Sequence, residues 1–178
     1  KIISLIIVLS MLFLSFNTSN EASISIKFNT NPSGREDIEV LNSVYEAELL
    51  NLINQYRNKK GLNSLSVHAD LMRASRYHAA DMANENYQEH ATYNRTSNGL
   101  NRGLSTFRRI SNFYKGFANT ENIAAGYGNP VAVFEAWVRS PGHKRNLLNK
   151  SATHMGVGYY QNRNSKFKNY WVFESGAQ

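Results

Sequence analysis

Residues 154–160, His-Met-Gly-Val-Gly-Tyr-Tyr, constrain this chain more than any other stretch. Met155, Val157 and Tyr159 alternate with His154, Gly156, Gly158 and Tyr160, the period-two pattern of a β-strand. Glycine weakens a strand, so two glycines on one face mean that another group must come close to it. That group is either a ligand, for which the bare face beside His154 would be a floor, or a tightly packed helix. The residues alone leave both open.

Upstream, Asn129 and Pro130 suit the start of a helix, since proline at the first helical position gives up an N–H that would be unpaired anyway. Val133, Phe134, Trp137 and Val138 then form one apolar stripe. Ser140-Pro141-Gly142 is expected to stop that helix, leaving His143 on the exit. A short helical turn over 143–149 follows, and strands over 154–161 and 169–175 close the chain, joined through the turn residues 162–165.

Earlier segments read as helices. Ser43 and Glu46 have capping-box spacing, Leu49, Leu52, Ile53 and Tyr56 form an apolar face, and Gly61 supplies a stop. A second helix over 69–86 carries Leu71, Ala74, His78 and Met82 on one stripe. A polar loop over 88–104 leads to a third helix over 105–114. Helices first, strands last and no repeated βαβ unit argue for an α+β fold.

Residues 1–19 place one lysine before an apolar run that is short for a membrane helix and suits a secretory signal peptide, with an uncleaved anchor as the rival. Residues 20–41 are polar and read as a flexible arm, with a short strand over 24–28. The domain proper spans 42–178, long enough for one core. With no cysteine, stability must come from packing, and no lipidation site is offered.

The net charge of +7 is unevenly spread. Residues 1–94 hold eight Lys/Arg against ten Asp/Glu, while residues 95–178 hold twelve against three. The basic residues of the second half, among them Arg102, Arg108, Arg109, Lys144, Arg145 and Lys150, are either a solvated surface or a patch for anionic glycans, lipids or envelope and host molecules. Nucleic acid is not expected: the chain reads as exported and no nucleic-acid motif is present.

The run SPGHKRNLLNKSATHMGVG at 140–158, with ENIAAG at 121–126 and YWVFESG at 170–176, resembles the bacterial branch of the CAP superfamily. That superfamily, also called SCP-like, includes cysteine-rich secretory proteins, insect venom antigens and plant pathogenesis-related proteins. The likeness covers 46–176 with its segments in the family's order. It implies an α-β-α sandwich, a small mainly antiparallel sheet between helical layers, in a secreted or surface-exposed protein.

The resemblance also implies a central cleft lined by two histidines and two acidic residues, which in some members binds a divalent metal. Carried over by motif, His90, Glu121 and His154 take three of those places. Ser140 stands where the second glutamate would be, and His143 is the nearest replacement. Gln88 and Glu89 also depart from the family pattern. Two imidazoles and a carboxylate are a plausible zinc set with a fourth position for water, but their wide sequence spacing would not suggest one by itself. The bland reading is a hydrogen-bonded polar groove in which Glu121 fixes a histidine tautomer.

Other conspicuous residues have structural readings. His78 suits a satisfied, partly buried histidine and His68 a surface position, while Trp137 and Trp171 suit core anchors. Asn122 and Asn146 suit amides that bind loop backbone. Ser140 and Ser105 lack the nucleophile-elbow context of a serine hydrolase. The expected function is therefore binding, by a monomer with a polar cleft and a basic face. A metal-assisted hydrolase using His90, Glu121 and His154, and a lipid or sterol carrier, are the alternatives.

Overall fold

The computed structural model describes Phe28 and residues 30–178. Along the chain come α1 (Ser43–Lys59), β1 (Ser66–Val67), α2 (Ala69–Glu85), β2 (Tyr93–Thr96), β3 (Gly99–Arg102), α3 (Thr106–Phe113), β4 (Phe117–Ala125), α4 (Pro130–Arg139), α5 (Pro141–Leu147), β5 (His154–Gln161) and β6 (Asn169–Ala177). Strands β1, β5, β6 and β4 form one sheet in that order, parallel between β1 and β5 and antiparallel elsewhere. The expected signal segment lies outside the described residues, as does all of the expected 24–28 strand except Phe28. No helix among the described residues is long and apolar enough to cross a membrane.

The sheet has a helical layer on each face, the α+β sandwich expected. On one face α2 sets Ala79, Met82 and Ala83 against Ile123, Tyr170 and Val172. On the other, α1, α4 and α5 bring Leu49, Ile53, Val133, Trp137 and Leu147 onto Met155, Val157, Trp171 and Phe173. Trp137 and Trp171 are at most 1% exposed, and burying an aromatic side chain of that kind stabilises by about 2–3 kcal/mol.

The glycine face of β5 is covered by a helix. A Cβ on Gly156 would lie 2.2 Å from the carbonyl carbon of Leu71, and one on Gly158 would lie 2.3 Å from that of Ser75. The α2 backbone rests directly on these two residues, so the ligand-floor reading is corrected. Beyond the two residues of β1, the free edge of β5 is paired with side chains. Val157 N–H donates to Met72 Sδ at 3.2 Å and Tyr159 N–H to Glu46 Oε1 at 3.3 Å, which accounts for donors that a bare edge would leave unpaired.

Several local expectations are corrected. The α1 cap is Asn42, whose side chain accepts from Tyr45 N–H at 3.0 Å. Glu46 is therefore free of capping and holds Arg76 at 2.6 Å. The 88–104 loop contains the β2–β3 hairpin, turning through Ser97 and Asn98 into Gly99 at φ +110°. Its strands are short and largely polar, so they lack the apolar alternation that marks a strand, although Asn-Gly is a hairpin signal. Pro141 ends α4 and also opens α5, placing His143 in the first turn of that helix.

Residues 30–41 are seated on the domain instead of running free. Ile38 packs with Ala74, Tyr77, Ala80 and Phe113. Asn112 Nδ2 donates to Pro32 O at 2.7 Å, and Arg73 Nη2 donates to Gly34 O. Gly34, at φ +84°, passes so close to Asn112 that a Cβ would lie 2.0 Å from its carbonyl oxygen.

Candidate functional site

The antiparallel register of β4 and β6 sets Glu121 directly opposite Glu174, and directly opposed residues share a face of the sheet. Both carboxylates are buried. The cation between them comes from α3: Arg109, 0% exposed, sends Nη2 to Glu121 Oε2 and to Glu174 Oε1, the latter at 2.9 Å. Its Nη1 donates to the His90 carbonyl at 2.8 Å.

His90 closes this network on the solvent side. Its Nδ1 lies 2.7 Å from Glu121 Oε1, and its side chain is 52% exposed. The bond to Glu121 raises the imidazole above its ordinary pKa, against the opposing effect of burial. Burial would raise Glu121, but the Arg109 charge and the His90 hydrogen bond outweigh it and hold the carboxyl well below the usual range. Glu174 goes the other way: burial dominates over Arg109 and pushes it up to about 8. At neutral pH the cleft thus holds one ionised and one protonated carboxyl around a fixed guanidinium.

Asn122 and Asn146 bind backbone carbonyls and each other where α5 meets β4. Asn146 Nδ2 donates to Glu121 O at 2.9 Å and to Asn122 Oδ1 at 2.8 Å, while Asn122 Nδ2 donates to His143 O at 3.0 Å. These bonds tie α5 to β4 and bring His143, partly buried, into the electrostatic reach of His90. Burial lowers the His143 pKa, and the His90 charge adds to the effect. Ser140 sits at the α4–α5 junction with no side-chain capping bond.

His154 is elsewhere. It pairs with Gly176, two strands from β4 and two residues along from the Glu121–Glu174 pair, so about 10 Å of sheet lies between. Its Nδ1 lies 2.8 Å from Thr153 Oγ1, and its ring lies edge-on to His68 at 5.5 Å. The Tyr114 ring covers Gly176. The expected metal set of His90, Glu121 and His154 is therefore not assembled, and among the described residues no group of three His, Cys, Asp or Glu could hold a metal ion. A zinc ion would also have to displace a guanidinium and an imidazole from Glu121.

Arg109 and Glu174 are the cleft residues that sequence reasoning missed; Arg109 was expected among the surface cations. A signal was present in both cases. Arg109 shares the buried side of α3 with Ile110 and Phe113, and Glu174 ends the apolar run 170–173 on the face of Tyr170 and Val172. Behind them, His78 is fully buried, bonded through Nε2 to Glu89 O at 2.9 Å and kept neutral by burial, which lowers its pKa to about 3. Its Nδ1 has no hydrogen-bond partner, so it is more buried and less satisfied than expected. His68 is the α2 N-cap, accepting from Asp70 N–H at 3.2 Å.

With fold and cleft in view, the chain can be set beside known proteins. A family model described as the cysteine-rich secretory protein family, CAP, matches residues 50–175. The chain is 34% identical over 149 residues to the uncharacterized protein YkwD of Bacillus subtilis, covering 82% of this chain and 52% of that one. It thus spans about half the length of that relative. An extracellular protein containing an SCP domain from Bacillus anthracis superposes with a TM-score of 0.62 at 26% identity, over 75% of this chain and 40% of that one. An outer surface protein from Borrelia burgdorferi shares the fold with a TM-score of 0.64 at 22% identity, over 74% of this chain and 91% of that one.

Proposed function

The chain belongs to the cysteine-rich secretory protein (CAP) family, in its bacterial branch, and from that premise we propose that it is an extracellular or cell-surface binding module whose cleft mouth engages anionic partners. The observation that carries this reading is the occupancy of Glu121. Its two oxygens are committed to Arg109 and His90, so the one ionised carboxylate of the cleft is neither an open metal ligand nor a free general base. What the cleft offers outward is the edge of His90, whose pKa the bond to Glu121 raises. Exposed cations stand on the elements that build the cleft, Arg108 beside Arg109 on α3 and Lys144 and Arg145 on α5, the helix that Asn146 ties to β4, with Arg102 exposed on the hairpin.

Binding to an immobilised sulfated glycan tests this. Apparent affinity should fall steeply between about 50 and about 500 mM salt, because exposed charges are screened over a Debye length. It should also fall in Lys144→Glu/Arg145→Glu. Affinity indifferent to salt would remove the basic mouth as its basis. Titration with zinc should give no saturable binding, whereas micromolar binding lost in both His90→Ala and His143→Ala would restore a metal centre in the cleft, with His143 in place of His154.

A lipid carrier is favoured by one separate feature. An apolar groove of about 420 Å³ lies between α3 and β4, lined by Phe107, Ser111, Gly116, Phe117, Ala118 and Asn119. Phe107 and Phe117 are 53% and 73% exposed, an unusual presentation for two large apolar rings. Protein purified from its host should then release extractable lipid, and Phe117→Ser should reduce the yield. Repeatedly empty extracts count against carriage.

A further inference from the structure

At the end of α1, away from the cleft, Arg57 is buried to 2% exposure. Its Nε donates to Asn63 O at 3.0 Å, and its Nη1 donates to Leu147 O at 2.8 Å and Asn149 O at 2.9 Å. Those bonds hold the guanidinium rigidly between the loop after α1 and the end of α5. Every acceptor is a neutral carbonyl. Among the described residues no carboxylate forms an ion pair with Arg57, and burial lowers its pKa with no anion to offset the effect. Arginine nevertheless keeps its charge in proteins. A buried cation without a counter-ion is costly, and folded chains usually pair one.

Arg57 also lines an open depression of about 520 Å³, together with Asn63, Ser64, Ser66, Lys150 and Thr153. Two cations and three hydroxyls stand there, and no acidic side chain lines it. Exposed Lys150 stands beside buried Arg57, so the site pairs a preorganised guanidinium with a mobile ammonium, both suited to oxyanions. A space of this size is in the range of small-ligand sites and far larger than a bare ion needs.

We propose that this depression binds a tetrahedral oxyanion, the phosphate or sulfate group of a small ester, with Arg57 and Lys150 as its cations and Ser66 as a hydroxyl partner. It deepens the anionic-partner reading by assigning a discrete pocket whose lining shares no residue with the cleft.

The test is titration of the ¹⁵N-labelled protein with inorganic phosphate and, separately, sulfate, with chloride at matched ionic strength as control. Saturable amide shifts are expected at residues 61–66 and 150–153, and whichever ion binds more tightly names the group. Lys150→Glu, an exposed substitution, should weaken binding about tenfold or more by reversing one of two charges. Ser66→Ala should weaken it a few-fold, and Lys144→Glu should leave it unchanged. Shifts that fail to saturate, that chloride reproduces, or that survive Lys150→Glu overturn the proposal. Because the probe is a small ion and Lys144 does not line the depression, absence of salt-sensitive glycan binding in a parent protein that binds phosphate would sink the functional reading alone. The reverse result would sink this one alone.

Discussion

Arg109 and Arg57 are buried to 0% and 2% exposure, and the chain neutralises them in opposite ways. Arg109 lies between two buried carboxyl groups and next to the half-exposed His90. Arg57 lies among three neutral carbonyls, one from the last residue of α5 and two from the loops after α1 and α5, which carry partial negative charge only, and opens onto a polar depression. The first arrangement is closed: its charges satisfy one another, and what remains for a partner is a histidine edge. In the second, a full positive charge is left for something outside the fold to meet. The residue that looks like part of a binding face in sequence is a strut, while an arginine near the end of the first helix is the better placed to bind.

The largest effect should come from breaking the closed arrangement. Arg109→Met strands two buried carboxyl groups, and removing one partner of a buried ion pair costs about 3–5 kcal/mol. The urea midpoint should fall accordingly, and Glu121→Gln/Glu174→Gln in the same chain should recover much of the loss. A drop under about 1 kcal/mol would mean that the carboxyls are satisfied without the guanidinium. Arg57→Met should cost less, about 2–3 kcal/mol, since it abandons three carbonyls that water in the adjoining depression can reach. If Arg57→Met proves the costlier substitution, the contrast between a closed and an open site is wrong.

Where the chain speaks through periodicity, it was legible. The α2 and α4 stripes, the alternation in β5 and the stop at residues 140–142 all place their elements within a residue or two, because each pattern reflects which side is buried. His90 and Glu121 were legible as a pair through the family's motif order. The partners that give the cleft its chemistry were not. Arg109 becomes a cleft residue only because the β4–β6 register brings Glu121 opposite Glu174 below α3, and nothing local to α3 encodes that register. His154 misled for a related reason: it shares the sheet face of Glu121, yet register sets it two strands away beside Gly176. The Gly156 and Gly158 face was read correctly as a close approach, but whether ligand or helix filled it depended on where α2 lands.

The two arginine sites should also differ in their response to pH. Glu174 has a folded pKa raised to about 8 from an ordinary 4.5. Its contribution is therefore complete below 4.5 and lost as pH rises toward about 8, because the unfolded chain releases a proton that the folded one retains. His90, raised above 6.5, acts in the same direction from its own ordinary value upward. Buried His78, lowered to about 3, opposes both as pH falls below 6.5, so the informative quantity is a difference between proteins. Glu174→Gln should gain stability relative to the parent as pH rises from about 5 to about 8. Arg57→Met should track the parent's slope, since no group with a shifted pKa contacts that guanidinium. Parallel curves for the parent and Glu174→Gln would show that Glu174 is ionised in the fold.

The smallest effect is the one that separates holding from binding. Lys150 is exposed and makes no ion pair among the described residues, so Lys150→Ala should leave the urea midpoint within about 0.5 kcal/mol of the parent in a buffer free of phosphate and sulfate. Adding millimolar phosphate should then raise the parent's midpoint and leave the variant's nearly unchanged, because a ligand that binds only the folded state stabilises in proportion to its occupancy. A variant destabilised without phosphate would make Lys150 part of the structure that Arg57 holds together. One stabilised by phosphate as much as the parent would place the ion elsewhere on the basic half. Either result would reduce Arg57 to a second strut, different from Arg109 only in the acceptors it found.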